Sequence, residues 1–481
     1  MAEEKQEVIE LDQPQKAFDY ENGKVILSVR HLKQYFRFGR GQFKYTKAVH
    51  DVSFDVYKGE VFGLVGESGC GKTTTGRSII KLYKITSGDV WFKGVRIAAG
   101  TRWNEKEIKF TNIRLREALK ELKNKENEEL NLLKLSYQDK EDGNKEDYEK
   151  QVKAIKEKYA ALRKEKIEPA EEIVSTQREK IKLAKHDDRH CNDDIAKAAV
   201  AKVKKKYADL FEPENLVKKA KQNPELEENK AILQRYSEYK EKLKEAKNAS
   251  ITRSIQMIFQ DPIASLNPRM TIRNIIAEGL IIRGVKDKDF IDKEVKRVLE
   301  LVGLLPEHAN RYPHEFSGGQ RQRIGIARAI IMKPELIIAD EPVSALDVSI
   351  QAQVINLLND LRNDLGLTIL FIAHNLSVVK YFCDRIAVMY YGNLMEVATS
   401  DELFKHPLHP YTKALLSAIP KPDPLSEKSR QRIVYNPMTS HDYSKEKPTF
   451  QEVVPGHFIL ANSEEMEKYC QEIKELDAKA K

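Results

Sequence analysis

The sequence contains no run of about eighteen apolar residues, so nothing in it reads as a membrane-spanning helix. Cysteine is scarce. Cys70, Cys191, Cys383 and Cys470 stand far apart with no C-x-x-C pair. That excludes a disulfide framework and the common zinc sites, and it fits a reducing cytoplasm. The start, Met-Ala-Glu-Glu-Lys-Gln-Glu, is polar and acidic, unlike a secretory signal. Between about 101 and 250 glycine is nearly absent, with Gly143 alone. A strong excess of one charge is missing too. There are 82 Lys and Arg against 74 Asp and Glu, a net charge of +8. The lysines are interspersed with glutamates, which describes a solvated helical face better than a nucleic-acid surface. Nucleic acid is therefore not an expected partner, whereas attraction to an anionic membrane surface is compatible with the charge.

What is present is substantial. A chain of 481 residues has room for two or three domains, and 41 % hydrophobic residues supports a sizeable core. At 32 % the charged fraction is high for a compact globule.

Residues 66–73 read Gly66, Glu67, Ser68, Gly69, Cys70, Gly71, Lys72, Thr73, with Thr74 following. They are preceded by the apolar run Val61–Val65, which reads as a buried strand, and followed by a stretch that reads as a helix. Glycines let the backbone curl so that several N–H groups point inward as an anion nest. The helix adds its positive N-terminal end. In such a loop Lys72 lies against the β- and γ-phosphates of a nucleotide, and Thr73 offers a hydroxyl to Mg²⁺. Cys70 reads as a small filler, and as a possible alkylation target.

At 336–341 a second apolar run ends in Asp340 and Glu341. Asp340 suits Mg²⁺, which takes hard oxygen ligands. Period-two alternation turns Glu341 the other way, toward a place for an attacking water. Taken alone, the pair reads equally well as an acidic turn. Phe316 is followed by Ser317, Gly318, Gly319 and Gln320 and then by an Arg-rich helix. Ser317 can cap that helix, whose free N–H groups form a second anion site.

These segments, with Gln260, Ser344-Ala345-Leu346-Asp347 and His374, stand in the order of an ABC-type ATPase domain, and the chain resembles that family over about 24–100 and 251–420. The resemblance implies an α/β fold, a P-loop ABC-type ATPase domain with a helical lobe. It also implies a head-to-tail dimer that sandwiches ATP and Mg²⁺ between the phosphate loop (Walker A) of one subunit and the Ser317–Gln320 helix of another. By the same resemblance Glu341 polarises the water and His374 contacts the γ-phosphate. Gln260 senses Mg²⁺ and water, Asp340 and Thr73 serve the metal, and Asp347 faces the partner subunit. The family stacks adenine on an aromatic upstream of the loop, for which Tyr35 is preferred to Phe36. Phe316 replaces the more usual leucine.

Two phrases narrow the resemblance. Residues 260–272, Gln-Asp-Pro-Ile-Ala-Ser-Leu-Asn-Pro-Arg-Met-Thr-Ile, and 406–416, His-Pro-Leu-His-Pro-Tyr-Thr-Lys-Ala-Leu-Leu, are similar to the ATP-binding subunits of oligopeptide/dipeptide (and nickel) permeases, closest to the F-type ATPase of the pair. That implies a peripheral subunit on the cytoplasmic face of the membrane. Its implied partners are a second ABC ATPase, two transmembrane permease subunits and an extracytoplasmic substrate-binding protein. The alternatives are a nickel importer and a soluble mechanical ABC ATPase of chromosome maintenance, DNA repair or translation. Against the mechanical readings, the insertion is short, lacks a zinc-hook Cys-x-x-Cys and enters before Gln260, and there is one Walker A.

The expected organisation is a polar tail at 1–23, ATPase core at 24–100, an insertion at 101–250, core again at 251–420 and a C-terminal extension at 421–481. The insertion is Lys/Glu-rich, with apolar residues at heptad-like spacing, Val152, Ile155, Tyr159, Leu162 and Ile232, Tyr236, Tyr239, Leu243. It reads as antiparallel helical hairpins broken at Asp142-Gly143-Asn144, Pro169, Pro213 and Pro224. The stretch from His186 to Cys191 holds two histidines and a cysteine at no common zinc spacing. Relatives often carry a cysteine cluster near the C-terminus for an iron–sulfur centre. Here only Cys470 is present, so no cluster is expected. A helix over 463–479 is expected to close the chain.

Overall fold

The structure, a computed structural model, describes residues 24–38, 44–138, 145–212, 215–247, 249–419 and 432–480. The tail at 1–23, the break at 142–144, Pro213, Pro422 and Pro424 lie outside the described residues. The described chain divides into two compact units, Ala99–Arg189 and the remainder.

The larger unit is built on a mixed sheet. Its centre is five parallel strands in the order β6 (Ile255–Ile258), β7 (Leu336–Asp340), β8 (Thr368–Ala373), β3 (Val61–Val65) and β9 (Arg385–Tyr390). Their runs of Leu, Ile, Val and Phe are continuous because both faces are covered. Leu336, Ile337, Ile338, Ile369, Leu370, Phe371 and Ile372 are all fully buried. Beyond β9 come β10 (Asn393–Thr399) and an antiparallel layer of β2 (Lys44–Tyr57), β1 (Val25–Phe38), β4 (Ser87–Phe92) and β5 (Val95–Thr101).

Helix α1 (Lys72–Ile79) follows β3. The helical lobe between β6 and β7 comprises α7 (Pro262–Ser265), α8 (Ile272–Ile282), α9 (Lys288–Leu301) and α10 (Gly318–Ile330). Each begins at a side chain that accepts from the first turn: Asp261 from Ile263 and Ala264, Thr271 from Asn274, Asp287 from Phe290, Ser317 from Gln320. Helices α11 (Val348–Leu365), α12 (Leu376–Phe382), α13 (Ser400–Lys405) and α14 (Pro410–Ser417) complete the core elements. In the C-terminal extension β11 (Thr449–Val454) and β12 (His457–Ala461) form a hairpin whose β12 joins β10, and a helix over Ser463–Ala480 closes the described chain. Leu408 packs with Ile459, Ala461, Tyr469 and Ile473 to hold that extension. Among the described residues no helix is long and apolar enough to cross a membrane.

Residues 101–250 are divided between the two units. Ala99–Arg189 contains α2 (Arg102–Gln138) and most of α3 (Lys145–His190). Asn104 bonds Gln177 at 2.7 Å, Glu126 pairs with Arg163 and Glu129 with Lys158, so the helices run antiparallel. Contrary to the expected break, α3 runs through Pro169. The bond that Pro169 cannot make falls at Glu165, which is exposed, so water can take its carbonyl. Helices α4 (Asp193–Lys206), α5 (Leu216–Ala220) and α6 (Glu227–Lys247) belong to the larger unit. They enclose a small core of Tyr207, Leu210 and Val217 against Phe211, Ile232, Tyr236 and Tyr239. The asparagine between α3 and α4, Asn192, accepts from the backbone N–H of Ile251 at 2.9 Å, just before β6.

Candidate functional site

The site forms at the C-terminal ends of four adjacent parallel strands, β6, β7, β8 and β3, the edge where open α/β sheets bind ligands. Between β3 and α1 the loop closes on two glycines that no other residue could replace without a shift. A Cβ on Gly66 (φ +152°) would lie 2.1 Å from the carbonyl oxygen of Met389, and one on Gly71 (φ +108°) 2.2 Å from that of Ala48. Glu67, Ser68 and Gly69 form the exposed crown of the loop, and Cys70 is buried beneath it. Burial pushes the Cys70 thiol up, which makes it a poor nucleophile and favours the filler reading over the alkylation target. Lys72 is almost fully buried and donates to the carbonyls of Gly66 (2.8 Å) and Glu67 (2.9 Å). Thr74 sits half-buried on the first turn of α1.

Thr73 donates its hydroxyl to Asp340 Oδ1 at 2.7 Å. Asp340 is fully buried, and among the described residues its Oδ2 has no hydrogen-bond partner, the Arg77 guanidinium standing 3.9 Å away. Burial raises the carboxyl above its ordinary value. A desolvated, unsatisfied carboxylate oxygen beside a hydroxyl is an arrangement that a hard cation would complete.

Glu341 lies outside the strand. β7 ends at Asp340, and Glu341 adopts φ +44°, so a left-handed turn sets its direction where strand alternation was expected to. Its N–H donates to the carbonyl of Ile372 on β8 at 2.9 Å, which holds the turn. The side chain then gathers the remaining groups. Oε2 accepts from Gln260 Nε2 at 3.0 Å and lies 3.1 Å from His374 Nδ1, and Oε1 is 3.9 Å from Lys72 Nζ. Gln260 follows β6, and His374 is the first residue after β8; both are exposed.

Tyr35 is half-buried on β1. Its ring stacks beside His50 at 5.9 Å and its hydroxyl shares a hydrogen bond with His50 Nδ1 at 2.5 Å. Burial and then Asp51 push that hydroxyl up to about 12. Tyr35 stands opposite Lys47, next to the Ala48 carbonyl that abuts Gly71. Phe36 packs edge-on against Tyr83.

Ser317, Gly318, Gly319 and Gln320 stand at the start of α10. Ser317 N–H donates to Gln320 Oε1 at 3.0 Å and Gln320 N–H to Ser317 Oγ at 3.3 Å, a reciprocal cap. A Cβ on Gly319 would come within 2.6 Å of Ile350, so that glycine lets α10 approach α11 closely. Among the described residues no hydrogen bond links 317–320 to 66–74. Asp347 is exposed at the start of α11 and its side chain makes no cap bond. Phe316, buried against His308, keeps the apolar anchor.

One contact was not foreseen. Tyr411, in the 406–416 phrase, accepts from the backbone N–H of Glu67 at 3.1 Å. The phrase stood out only as a likeness to other sequences, and nothing in it points to a phosphate loop 344 residues earlier.

Comparison with known proteins agrees with this geometry. A family described as "ABC transporter" matches residues 49–192 and 227–344. The oligopeptide transport ATP-binding protein OppF of Bacillus subtilis is 41 % identical over 445 residues, 92 % of this chain and 98 % of that protein. The chain belongs to the ABC transporter family. A second family, the C-terminal region of oligopeptide/dipeptide transporters, matches residues 395–447. The dipeptide transport ATP-binding protein DppF of Lactococcus lactis is 37 % identical over 93 % of this chain and 97 % of its own length. The oligopeptide transport protein AmiF of Streptococcus pneumoniae is 57 % identical over 222 residues, 46 % of this chain and 72 % of that protein. As an ABC transporter ATP-binding protein, the chain is an ATPase.

Proposed function

We propose that this chain is the ATP-hydrolysing subunit that energises import of oligopeptides or dipeptides. The observation that carries the ATPase chemistry is the carboxylate of Glu341, held by Gln260 and His374 within reach of Lys72. The peptide cargo is supported by the match of 395–447 and by the names of the full-length relatives.

In this reading the loop N–H groups and the N-terminus of α1 receive the triphosphate, and Lys72, held by the Gly66 and Glu67 carbonyls, turns its remaining N–H to a phosphate oxygen. Thr73, Asp340 and Gln260 would hold Mg²⁺, with Asp340 Oδ2 as the free buried oxygen. When bound, Mg²⁺ neutralises charge on the phosphates. Glu341 takes the proton of the attacking water, and His374 and Gln260 fix the rotamer in which it does so. Tyr35 is the aromatic we assign to the adenine. The Ser317–Gln320 segment, with Ser317 and Gly318 exposed, and the exposed Asp347 serve the facing subunit. We assign that place to a second ABC ATPase, with two transmembrane permeases and an extracytoplasmic binding protein completing the complex. The chain would then sit peripherally on the cytoplasmic face of the membrane.

The test is co-purification and turnover. Alone, the chain should release phosphate slowly. With the second ATPase and both permeases in liposomes, turnover should rise and respond to peptide supplied with the binding protein. Full, peptide-independent activity of the monomer would refute this reading.

A further inference from the structure

The peptide unit between Gly66 and Glu67 is gripped at both ends. Its carbonyl accepts from Lys72 Nζ at 2.8 Å, and its N–H donates to the hydroxyl oxygen of Tyr411 at 3.1 Å. A trans peptide holds these two groups in one plane and pointing opposite ways, so fixing the N–H fixes where the carbonyl points. Lys72 takes its resting position from that carbonyl and from the carbonyl of Glu67.

Tyr411 is itself rigidly placed. It is 2 % exposed, with its ring against Tyr390 at 4.4 Å and Tyr435 at 5.4 Å. Its own N–H donates to His409 Nδ1 at 3.1 Å. The N–H groups of Leu408 and His409 donate to the two carboxylate oxygens of Glu396, which is fully buried on β10. His457 Nε2, on β12 of the C-terminal hairpin, lies 2.8 Å from Glu396 Oε1. A continuous hydrogen-bonded path therefore runs from the C-terminal extension through 408–411 to the backbone of the phosphate loop.

We infer that Tyr411 is a positioning residue for Lys72, and that through it the 406–412 segment sets the affinity of the phosphate loop for nucleotide. The inference rests on the ATPase reading and deepens it. Tyr411→Phe keeps the ring packing and removes the hydroxyl that accepts from Glu67. The Glu67 N–H is then left without it and the 66–67 peptide is free to rotate, which displaces the carbonyl that orients Lys72. A single hydrogen bond of this kind is worth roughly a 3- to 10-fold change in an equilibrium. The change should fall on binding, because among the described residues no hydrogen bond links Glu341, His374 or Gln260 to Tyr411 or the 66–67 peptide, and Glu341 meets Lys72 only at 3.9 Å.

The experiment compares Tyr411→Phe with Tyr435→Phe, whose ring packs in the same aromatic cluster. MgATP affinity and melting temperature are measured on the purified full chain, and KM and kcat in the assembled transporter. The expected result for Tyr411→Phe is an affinity loss and KM rise of about 3- to 10-fold, with kcat within about twofold and melting close to wild type. Tyr435→Phe should bind as wild type does. Unchanged affinity in Tyr411→Phe, or an equal loss in both variants, would overturn the inference while leaving the ATPase reading intact. Failure of the wild-type chain to bind MgATP would overturn both.

Discussion

Replacing Glu341 by glutamine exchanges one carboxylate oxygen for an amide nitrogen at nearly constant shape. The remaining oxygen can still accept from Gln260 and His374, so the constellation around Oε2 persists. What disappears is the proton acceptor and the negative charge 3.9 Å from Lys72. Loss of a general base lowers kcat by about 10²- to 10⁴-fold, or roughly 3–5.5 kcal/mol in the barrier. The charge acts the other way on binding. Two unit charges at that separation interact by about 4 kcal/mol at an effective dielectric of 20. The carboxylate thus competes with a triphosphate for Lys72. Glu341→Gln should therefore bind ATP at least as tightly as wild type. Phosphate release in the reconstituted complex measures the first effect, and equilibrium nucleotide binding the second. Turnover within a few-fold of wild type would refute Glu341 as the base. Loss of binding together with turnover would show that the carboxylate supports the loop, contrary to this reasoning.

Lys72→Ala should weaken ATP binding by roughly 10- to 100-fold, since charge-assisted hydrogen bonds are lost, and titration of the isolated chain with nucleotide reads it. Replacing residues 107–174 by a short Gly/Ser linker keeps the turns joined by the Asn104–Gln177 bond. ATP affinity should survive that deletion, and its disappearance in a folded, soluble variant would make the helical pair part of the ATPase core. His409 is buried, and its folded-state pKa is held down at about 3, below the unfolded value of 6.5. Its contribution is intact above pH 6.5 and falls as the pH drops, by about 1.4 kcal/mol at pH 5.5. The ring should remain neutral by NMR at pH 5.5, and a protonated His409 in the folded chain would contradict that placement.

Sequence alone locates strands β3 and β7 to within a residue or so, because buried parallel strands are uninterrupted apolar runs ending in polar residues. Lys72, Thr73, Asp340 and Glu341 follow directly from those ends. The direction of Glu341 does not. It depends on a positive φ that no period-two pattern encodes. Pro169 misled because a proline weakens a helix by one bond, and a long exposed helix can absorb that loss. The division of 101–250 is equally hidden, since composition is alike on both sides of Arg189. Only the meeting of Tyr207, Phe211, Tyr236 and Tyr239 separates the second part, and those contacts are tertiary. Tyr411 was visible in a conspicuous phrase, yet its partner is a backbone N–H, which leaves no trace in residue types.

The left-handed backbone at Glu341 sets stability against activity at a single position. A side chain there carries a steric penalty that glycine would not. Glu341→Gly should relieve that strain and give a chain that is at least as resistant to heat, at the cost of the carboxylate that hydrolysis needs. Screening variants by thermal tolerance alone would therefore tend to enrich inactive enzymes at this position.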